Sequence, residues 1–524
     1  MRNLLGFMSA RVFRGRLKLI LGLVLLVNII AMFTLPDRLS DVTSGEGAGP
    51  LLRWHGGSSG EAEPEGGGLR LVVFGAPDLA MGRENGESGT SKSWTEYLCD
   101  ELRCSTHYSF VPSIDGSRPD PALLSNTAYQ ETLENVLSQE FDENQPGFNY
   151  TYIADHYPVP THDDLDAQVA RFLQSKPLKN PPKETLWVFN FGMWDAWTLA
   201  ALPREAAVGV VDYMVLRLFQ QIEILYKASL ADTSIAFSDF WGYADADVIE
   251  KLKADKLEDV RGEREIFRVL IPRVVDISIT PGWNSMRPRP PLPHSPAVHM
   301  TNAAYLTKRW NDGVASHIAE WQNLPNPETD ETVDPDRAEA RKRHASAPNQ
   351  VQKSENQRKR RGADDDLEAL LAPFPLRKAL QYDAPYFVLE AIVERQLRNA
   401  KLRDELGRGE RPPSDPLRFD EVWRPCSEGD AEPQQRIFGS RVKTDADANN
   451  ANQGESERDG SWHATCSNPD KYLWETPFTL TDKATREFAR LAAAESDSKL
   501  ELREQTSVLS LAVTKKSEDI DLAL

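Results

Sequence analysis

Two short apolar runs, LRLVVF at residues 69–74 and LWVFNF at residues 186–191, each end beside a glycine. Apolar runs of this length without alternating polar residues are typical of strands buried on both faces, as in a parallel sheet. We interpret SIAFSDF, residues 234–240, as a third strand of the same kind.

Helical patterns separate these runs. Ser93 can cap a helix over WTEYLCDEL, and from Val211 apolar residues recur at the spacing of one helix face. Alternating strands and helices predict an α/β fold with three layers, in which a doubly wound, flavodoxin-like parallel sheet is covered on both faces. The ligand crevice of such a fold lies beyond the carboxyl ends of the strands.

The amino-terminal residues predict a membrane anchor. A basic tail, residues 1–18, precedes the uncharged run LILGLVLLVNIIAMFTL at residues 19–35, which has about the length that spans a bilayer as a helix. Because the basic residues precede the run, we expect a cytoplasmic amino terminus and a single-pass type II topology. A cleaved signal peptide is the alternative, although no small-residue cleavage site follows promptly.

Composition divides the rest of the chain. Residues 36–68 are rich in Gly, Ser, Glu and Pro, which predicts a flexible stem. Residues 323–366 and 444–460 are too polar to build a core, so we interpret them as disordered insertions. The α/β domain then comprises residues 69–322 and 367–495, followed by a carboxyl-terminal tail, residues 496–524.

Charge and a sequon indicate the compartment and the partners. The chain has 61 Lys and Arg against 80 Asp and Glu, a net charge of −19, which argues against nucleic acid as a partner. Asn149 begins the tripeptide NYT, an N-glycosylation sequon. Together with the anchor, the sequon predicts a domain in the endoplasmic reticulum, in the Golgi or at the cell surface.

The four cysteines fall into two sets, Cys99 with Cys104 and Cys426 with Cys466. An oxidising compartment favours disulfides. Of the three possible connectivities, pairing within each set closes the shortest loops, but the sequence does not choose among them. Neither set has the spacing or the histidine neighbours of a zinc site, so we predict no metal.

Four blocks occur in an order that resembles the GDSL or SGNH hydrolases. The blocks are LVVFGAPD from residue 71, SWTEYLCDELRC from residue 93, FNFGMWDAW from residue 189 and CSNPDKYLWETPFTLTDKATREFARLA from residue 466. The similarity is greatest to the plant-like GDSL branch and to type II membrane proteins of filamentous fungi. It spans roughly residues 69–494 and implies an SGNH-type fold.

The resemblance also implies that the catalytic residues are replaced. Alignment on the turn at Gly75 puts Pro77 at the position of the nucleophilic serine. Trp194 stands at the asparagine that donates to the oxyanion, and Thr476 and Thr479 stand at the aspartate and histidine of the last block. Proline cannot attack a carbonyl and no base remains, so the chain resembles a degenerate member of the family.

Other residues could still line the crevice. Asp78 and Asp195 follow the first two strands and could face each other as a carboxylate pair or bind a metal, although turn and cap roles are more typical. Gly75 and Gly192 lie in the turns that carry these two aspartates. Five tryptophans near strand ends suit either the core or sugar stacking: Trp187, Trp194, Trp197, Trp241 and Trp283.

A proline-rich segment, residues 281–311, predicts a stiff loop beside the crevice. It is either a packed structural loop or a ligand-binding lid. Its polar residues are Asn284, Arg287, Arg289, His294 and His299.

These interpretations predict a type II membrane protein with an SGNH-like lumenal or extracellular domain that lacks catalytic residues. We expect it to need no cofactor and to bind a glycan, a lipid or a protein. The alternative is an active SGNH-type ester hydrolase or acetyl transferase that acts on cell-wall polysaccharide or lipid, with its serine relocated. An activated serine would distinguish the two.

Overall fold

The computed structural model describes residues 67–80, 92–112, 119–138, 149–244, 264–327, 374–428 and 466–502. The predicted anchor at residues 19–35, almost all of the stem, the insertion at residues 444–460 and most of the insertion at residues 323–366 lie outside these ranges. Within them, no helix is both long enough and apolar enough to cross a membrane.

Five parallel strands form the main sheet, in the order β2-β1-β3-β4-β5. They are β1 (Leu69–Gly75), β2 (Thr106–Ser109), β3 (Glu184–Asn190), β4 (Ile266–Pro272) and β5 (Leu376–Tyr382). The predicted α/β fold with a parallel sheet is confirmed, and the strand order is the flavodoxin-like one. The winding direction reverses between β1 and β3, which pair with Gly75 opposite Asn190.

Ten α-helices accompany the strands in the described ranges. They are α1 (Trp94–Leu102), α2 (Asn126–Leu137), α3 (Tyr152–His156), α4 (Leu165–Leu173), α5 (Met193–Leu199), α6 (Arg204–Ser229), α7 (Pro281–Met286), α8 (Pro296–Gln322), α9 (Ala384–Ala400) and α10 (Asp482–Leu500). Helices α2, α4 and α8 pack on α6, whereas α1 packs on α10. Two such groups are what a parallel sheet buried on both faces requires.

Both predicted helices are confirmed. The Ser93 hydroxyl accepts a hydrogen bond from the Glu96 backbone N–H, and the Glu96 carboxylate accepts one from the Ser93 N–H, so α1 begins with a capping box. The helix predicted from Val211 is α6, whose apolar face includes the buried residues Met214 and Leu218.

The predicted strand at residues 234–240 is wrong. The segment forms turns, and the carbonyl oxygens of Ile235, Ala236 and Phe237 accept hydrogen bonds from the guanidinium of Arg70. Carbonyl groups that turn toward this buried cation do not form a strand ladder, since each backbone group needs its own partner. The neighbour of β3 is β4 instead.

The sequence patterns missed β2, β4 and β5, which carry polar or charged residues. Arg268, in the middle of β4, is buried and donates to the Glu184 carboxylate at 3.1 Å and to the carbonyl oxygens of Leu500 and Glu501. A buried charge is tolerated when it is paired, so the arginine interrupts the apolar pattern without interrupting the strand.

The predicted start of the tail at residue 496 is too early. Helix α10 continues to Leu500, because Ser496 and Leu500 are both buried against the domain. Two parallel strands, β6 (Glu421–Pro425) and β7 (Tyr472–Trp474), form a second, smaller sheet before this helix.

The disulfides follow the short-loop pairing. Cys99 is bonded to Cys104 and Cys426 to Cys466, with sequence separations of 5 and 40 residues. The predicted disulfides are therefore present, and no cysteine is free.

Candidate functional site

A small cleft lies at the carboxyl ends of β1, β3 and β4. Its walls come from residues 76–80, from the end of β3 and from residues 272–275, and Ala384 and Phe488 close it. This is where the strand order reverses, which is the position at which open α/β sheets bind ligands. The cleft volume is about 30 Å³. It therefore accommodates about one or two water molecules, and a sugar or an acyl chain would require it to open.

The turn after β1 is held tightly. A Cβ at Gly75 would lie 2.6 Å from the Asn190 carbonyl oxygen, so the two strand ends approach too closely for a side chain. The amide of Gln168 accepts from the Gly75 N–H and donates to the Gly75 carbonyl, each at 2.9 Å. The Ala76 N–H donates to the Asn190 carbonyl oxygen at 2.8 Å. These bonds fix the backbone that leads into Pro77.

Pro77 and Trp194 contact each other directly. The Trp194 indole Nε1 donates to the Pro77 carbonyl oxygen at 2.6 Å, and the Trp194 side chain is fully buried. Its ring packs on Phe478 with 5.2 Å between centroids, and Phe478 lies against Gly282, where a Cβ would come within 2.3 Å of the phenyl ring. The indole N–H that could have served an oxyanion is therefore bonded to the backbone.

Thr476 and Thr479 are also bonded to each other. Their hydroxyl oxygens are 2.7 Å apart, and the Thr476 hydroxyl accepts from the Thr479 backbone N–H at 3.1 Å. Both residues are buried in the turn between β7 and α10. Threonine hydroxyls do not titrate near neutral pH as histidine does, so this pair holds the turn and offers no general base.

Asp78 is the carboxyl that lines the cleft. Its Oδ1 accepts from the Ala80 N–H and its Oδ2 accepts from the Trp94 indole Nε1, both at 3.0 Å. Burial raises the pKa of Asp78 to about 6, although these bonds and one with Asn190 oppose the shift. A carboxyl with this pKa can exchange a proton near neutral pH.

The described residues of the cleft wall offer Asp78 no nucleophile to activate. The Arg273 guanidinium, which also lines it, lies 3.6 Å from the Asp383 carboxylate. Serine, cysteine, threonine, histidine and lysine are all missing from the cleft wall as far as the structure describes it. The cleft therefore presents a proton-exchanging carboxyl, an amide and a guanidinium, but no nucleophile.

Asp195 does not join Asp78 in the cleft. It is fully buried, and its two oxygens accept from the backbone N–H groups of Leu124 and Gly192, both at 2.9 Å. Burial raises the pKa of Asp195 to about 7. Gly192 has a φ of 115°, and a Cβ there would lie 2.4 Å from Val274, so only glycine suits this position.

The carboxylate pair considered from the sequence is therefore not formed, because each aspartate is bonded to separate groups. Asp195 ties the start of α5 to the loop before α2, whereas Asp78 faces the cleft. Among the residues that the structure describes, no three His, Cys, Asp or Glu side chains lie close enough together to hold a metal ion.

The prediction of a stiff loop over residues 281–311 is wrong for most of that segment. Helices α7 and α8 each place a proline in their first turn, where its missing N–H costs no hydrogen bond. Only residues 287–295 form the connection between them. Asn284 is exposed on α7, and His294 in the connection donates from Nε2 to the Asn149 carbonyl oxygen at 2.7 Å.

The sequon residue Asn149 lies in a local turn. Its side-chain oxygen accepts from the Thr151 N–H at 3.1 Å and from the Thr151 hydroxyl at 2.8 Å. Glycosylation at Asn149 stays a prediction.

The tryptophans near the strand ends are core residues. Trp187, Trp194, Trp197, Trp241 and Trp283 are all at most 5% exposed, so none presents a free face to a sugar. Trp197 and Trp283 pack on the guanidinium of Arg287, a contact that the sequence patterns did not predict. This contact belongs to a second polar region of the molecule.

We call this region the Arg287 cluster and define it as Arg287, Trp197, Trp283, Tyr157 and His299. The guanidinium carbon lies 4.1 Å from the Trp283 ring centroid, 4.8 Å from that of Trp197 and 5.0 Å from that of Tyr157. Burial lowers the pKa of Arg287 to about 10, so the side chain remains a cation at neutral pH. Arg287 and His299 were noted in the sequence only as polar residues of a proline-rich segment.

Comparison with protein-family models and with curated proteins finds no match for this chain. The resemblance to the GDSL hydrolases is therefore carried by the four sequence blocks alone. A functional conclusion has to come from the chemistry of the site rather than from the fold.

Proposed function

We propose that this chain is a membrane-anchored binding protein whose α/β domain has an SGNH-type layout without the hydrolytic machinery. The hydrogen bond from the Trp194 indole to the Pro77 carbonyl oxygen carries the proposal. It joins the two positions that the resemblance assigns to the oxyanion donor and the nucleophile. The buried indole fills the space that an acyl oxygen would need.

The composition of the cleft supports the same proposal. Acyl transfer by this family of mechanisms needs a nucleophile, a base that takes its proton and donors for the oxyanion. Asp78 could exchange a proton, but the described wall of the cleft contains no hydroxyl or thiol for it to activate. Binding without turnover is the function that these groups can support.

The location belongs to the same proposal. The apolar run at residues 19–35 with its basic tail supports type II insertion, and the two disulfides support an oxidising compartment. The partner would then be a glycan, a lipid or a protein in the endoplasmic reticulum, in the Golgi or at the cell surface.

A fluorophosphonate probe tests the proposal, because it labels only an activated serine. We expect the detergent-purified full-length protein to stay unlabelled, with the same signal as a heat-denatured sample, and to give no saturable hydrolysis of p-nitrophenyl acetate. A labelled serine, located by peptide mass mapping, would overturn the proposal and favour the alternative of an ester hydrolase with a relocated serine.

A further inference from the structure

We propose that the Arg287 cluster is a binding site for an organic carboxylate. The inference goes beyond the proposed function, because it names a ligand class and a second site. It does not depend on whether the cleft hydrolyses esters.

The guanidinium of Arg287 has one satisfied edge and one unpaired edge. Its Nη1 donates to the Trp197 carbonyl oxygen at 2.6 Å. Its Nε and Nη2 are buried and have no hydrogen-bond partner in the part of the chain that the structure describes. These two nitrogens share one edge of the planar group, so their N–H bonds point the same way and match the two oxygens of a carboxylate.

Other arginines of this protein use the same edge to hold carboxylates. Nε and Nη2 both donate, at 2.5–3.0 Å, in the pairs Arg217 with Asp166, Arg309 with Asp212 and Arg490 with Glu487. Those three guanidinium groups are partly exposed, whereas the Arg287 donors are closed off from water. Arg70 is also buried without a carboxylate, but its guanidinium donates to the carbonyl oxygens of Ile235, Ala236 and Phe237, whereas two donors of Arg287 have no partner among the described residues.

Among the residues that the structure describes, no carboxylate forms an ion pair with Arg287. Only the hydroxyls of Tyr157 and Tyr152 act to raise its pKa, and burial outweighs them. A buried charge without a counter-ion is strongly unfavourable, and a neutral side chain of similar length would avoid that cost. Such a buried unpaired group needs an explanation, and a bound anion supplies one.

Neighbouring side chains extend the set of donors. The Tyr157 hydroxyl and His299 Nδ1 are also buried without a partner among the described residues. His299 Nε2 lies 3.2 Å from the Tyr152 hydroxyl, and burial, with a smaller effect of Arg287, lowers the pKa of His299 to about 3, which keeps the ring neutral. A phenol and a neutral imidazole can each donate one hydrogen bond to an oxygen anion, so the polarity of the cluster suits an anion.

The walls of the site favour an organic ion over an inorganic one. Trp197 and Trp283 pack on the guanidinium, and the half-buried rings of Tyr150, Tyr152 and His294 border the cluster, with Tyr150 and Tyr152 at 4.7 and 5.2 Å from His294 between centroids. An organic acid can bury its carbon skeleton against such rings, whereas phosphate cannot. Because Nε and Nη2 are closed off from water, binding requires these bordering side chains to rotate.

Thermal unfolding of the detergent-purified full-length protein at constant ionic strength tests the proposal. Sodium benzoate and sodium D-glucuronate are the carboxylate probes, benzamide is the uncharged match of benzoate, and sodium phosphate is the inorganic anion. We expect both carboxylates to raise the Tm saturably, benzamide to have no effect, and phosphate to bind at least tenfold more weakly. Absence of a saturable shift with both carboxylates, or equal binding of phosphate, would overturn the proposal.

Variants at Arg287 separate binding from a structural role. Arg287→Lys keeps the charge but loses the two-pronged edge, so we expect at least tenfold weaker benzoate binding. Arg287→Met should abolish saturable binding, and its Tm without ligand measures the balance between the buried charge that is removed and the Trp197 carbonyl oxygen that loses its donor. Arg289→Met, at an exposed position two residues away, is the matched control and should bind as the wild type does. If Arg287→Met does not fold, Arg287→Lys decides, and wild-type benzoate binding by that variant would contradict the proposal.

Discussion

The polar groups of Trp194 and Asp195 at the strand ends are hydrogen-bonded, whereas several polar groups of the Arg287 cluster are not. Around the cleft, the Trp194 indole is bonded to Pro77, and Asp195 accepts from two backbone N–H groups. In the Arg287 cluster, two guanidinium nitrogens and His299 Nδ1 are buried without a partner among the described residues. Trp194, Thr476 and Thr479, which the family resemblance singled out, are hydrogen-bonded, whereas Arg273 Nε at the cleft wall and the donors of the Arg287 cluster have no partner among the described residues.

The difference indicates which buried polar groups of this fold are available to bind a ligand. Nearly all buried polar groups in folded proteins are paired, so a saturated set such as that around Trp194 is explained by stability alone. Donors that stay unpaired lower stability, and a ligand that pairs with them recovers it. The contrast therefore predicts that substitutions at the strand ends act on folding, whereas substitutions in the Arg287 cluster act on binding.

A large loss of stability is expected for Asp195→Ala. The substitution leaves the N–H groups of Leu124 and Gly192 unpaired in a buried place, and each such group costs roughly 1–3 kcal/mol. We expect the free energy of unfolding to fall by about 3 kcal/mol, measured by denaturant titration. Asp195→Asn keeps one acceptor oxygen and should cost about half as much.

Asp155→Ala is the control for this experiment. Asp155 is an exposed acid in α3, and its loss should change the free energy of unfolding by less than about 0.5 kcal/mol. If Asp195→Ala were as stable as this control, the saturated bonds around the cleft would contribute nothing and the comparison would fail.

The two regions should also respond to pH in opposite directions. The folded-state pKa values of Asp78 and Asp195, about 6 and about 7, lie above the ordinary 3.8, so the folded chain binds these protons more tightly. Their contribution to stability is complete below the ordinary value and is lost as the pH rises through 6 to 7. The pKa of His299, about 3, lies below the ordinary 6.5, so its contribution is complete above 6.5 and is lost as the pH falls toward 3.

Denaturant titrations between pH 4 and pH 8 measure this opposition. Relative to the wild type, Asp195→Asn should become less destabilising as the pH rises, because the wild type loses its advantage. His299→Gln should become less destabilising as the pH falls, because the unfolded wild type then takes up a proton on His299 that the folded ring, beside Arg287 and His294, does not. Parallel slopes for the two variants would mean that the regions do not differ in this way.

Local pattern predicted β1, β3 and the cap of α1 but missed β4 and β5, although β1 and β4 are both buried throughout and each contains one arginine. The apolar runs of β1 and β3 and the cap of α1 are properties of a few neighbouring residues. Arg268 in β4 and Arg377 in β5 are accommodated by Glu184 and Glu223, which lie 84 and 154 residues away in the chain. No local window contains both members of such a pair, so these strands did not look buried.

The candidate site shows the same limit. The order of the sequence blocks led to Pro77 and Trp194, and these residues do meet in the fold. The side chains around Arg287 come from α5, α7, α8 and the residue that follows α3, four segments that only the folded chain brings together. The sequence could name Arg287, but it could not show that no carboxylate faces it in the described structure.

Restoring all four family residues would change folding stability and catalytic capacity at the same time. The variant Pro77→Ser, Trp194→Asn, Thr476→Asp and Thr479→His would supply all four roles, but Trp194 is fully buried against Phe478. Loss of the indole should cost about 3–5 kcal/mol of stability. The fraction folded must therefore be measured before any rate of ester hydrolysis is interpreted.

The smallest effect is expected for Pro77→Ser alone, which should leave hydrolysis of p-nitrophenyl acetate at the wild-type background. The new hydroxyl would have Thr479 where the family places its histidine, and the Trp194 indole would still donate to the carbonyl of residue 77. An unassisted serine hydroxyl is a weak nucleophile near neutral pH, and members of a triad act as a unit. Saturable hydrolysis by this single variant, abolished by a serine-directed inhibitor, would mean that an unrecognised base lies at the cleft. The cleft would then contain a catalytic base, and the comparison of the hydrogen-bonded strand ends with the unpaired Arg287 cluster would be wrong.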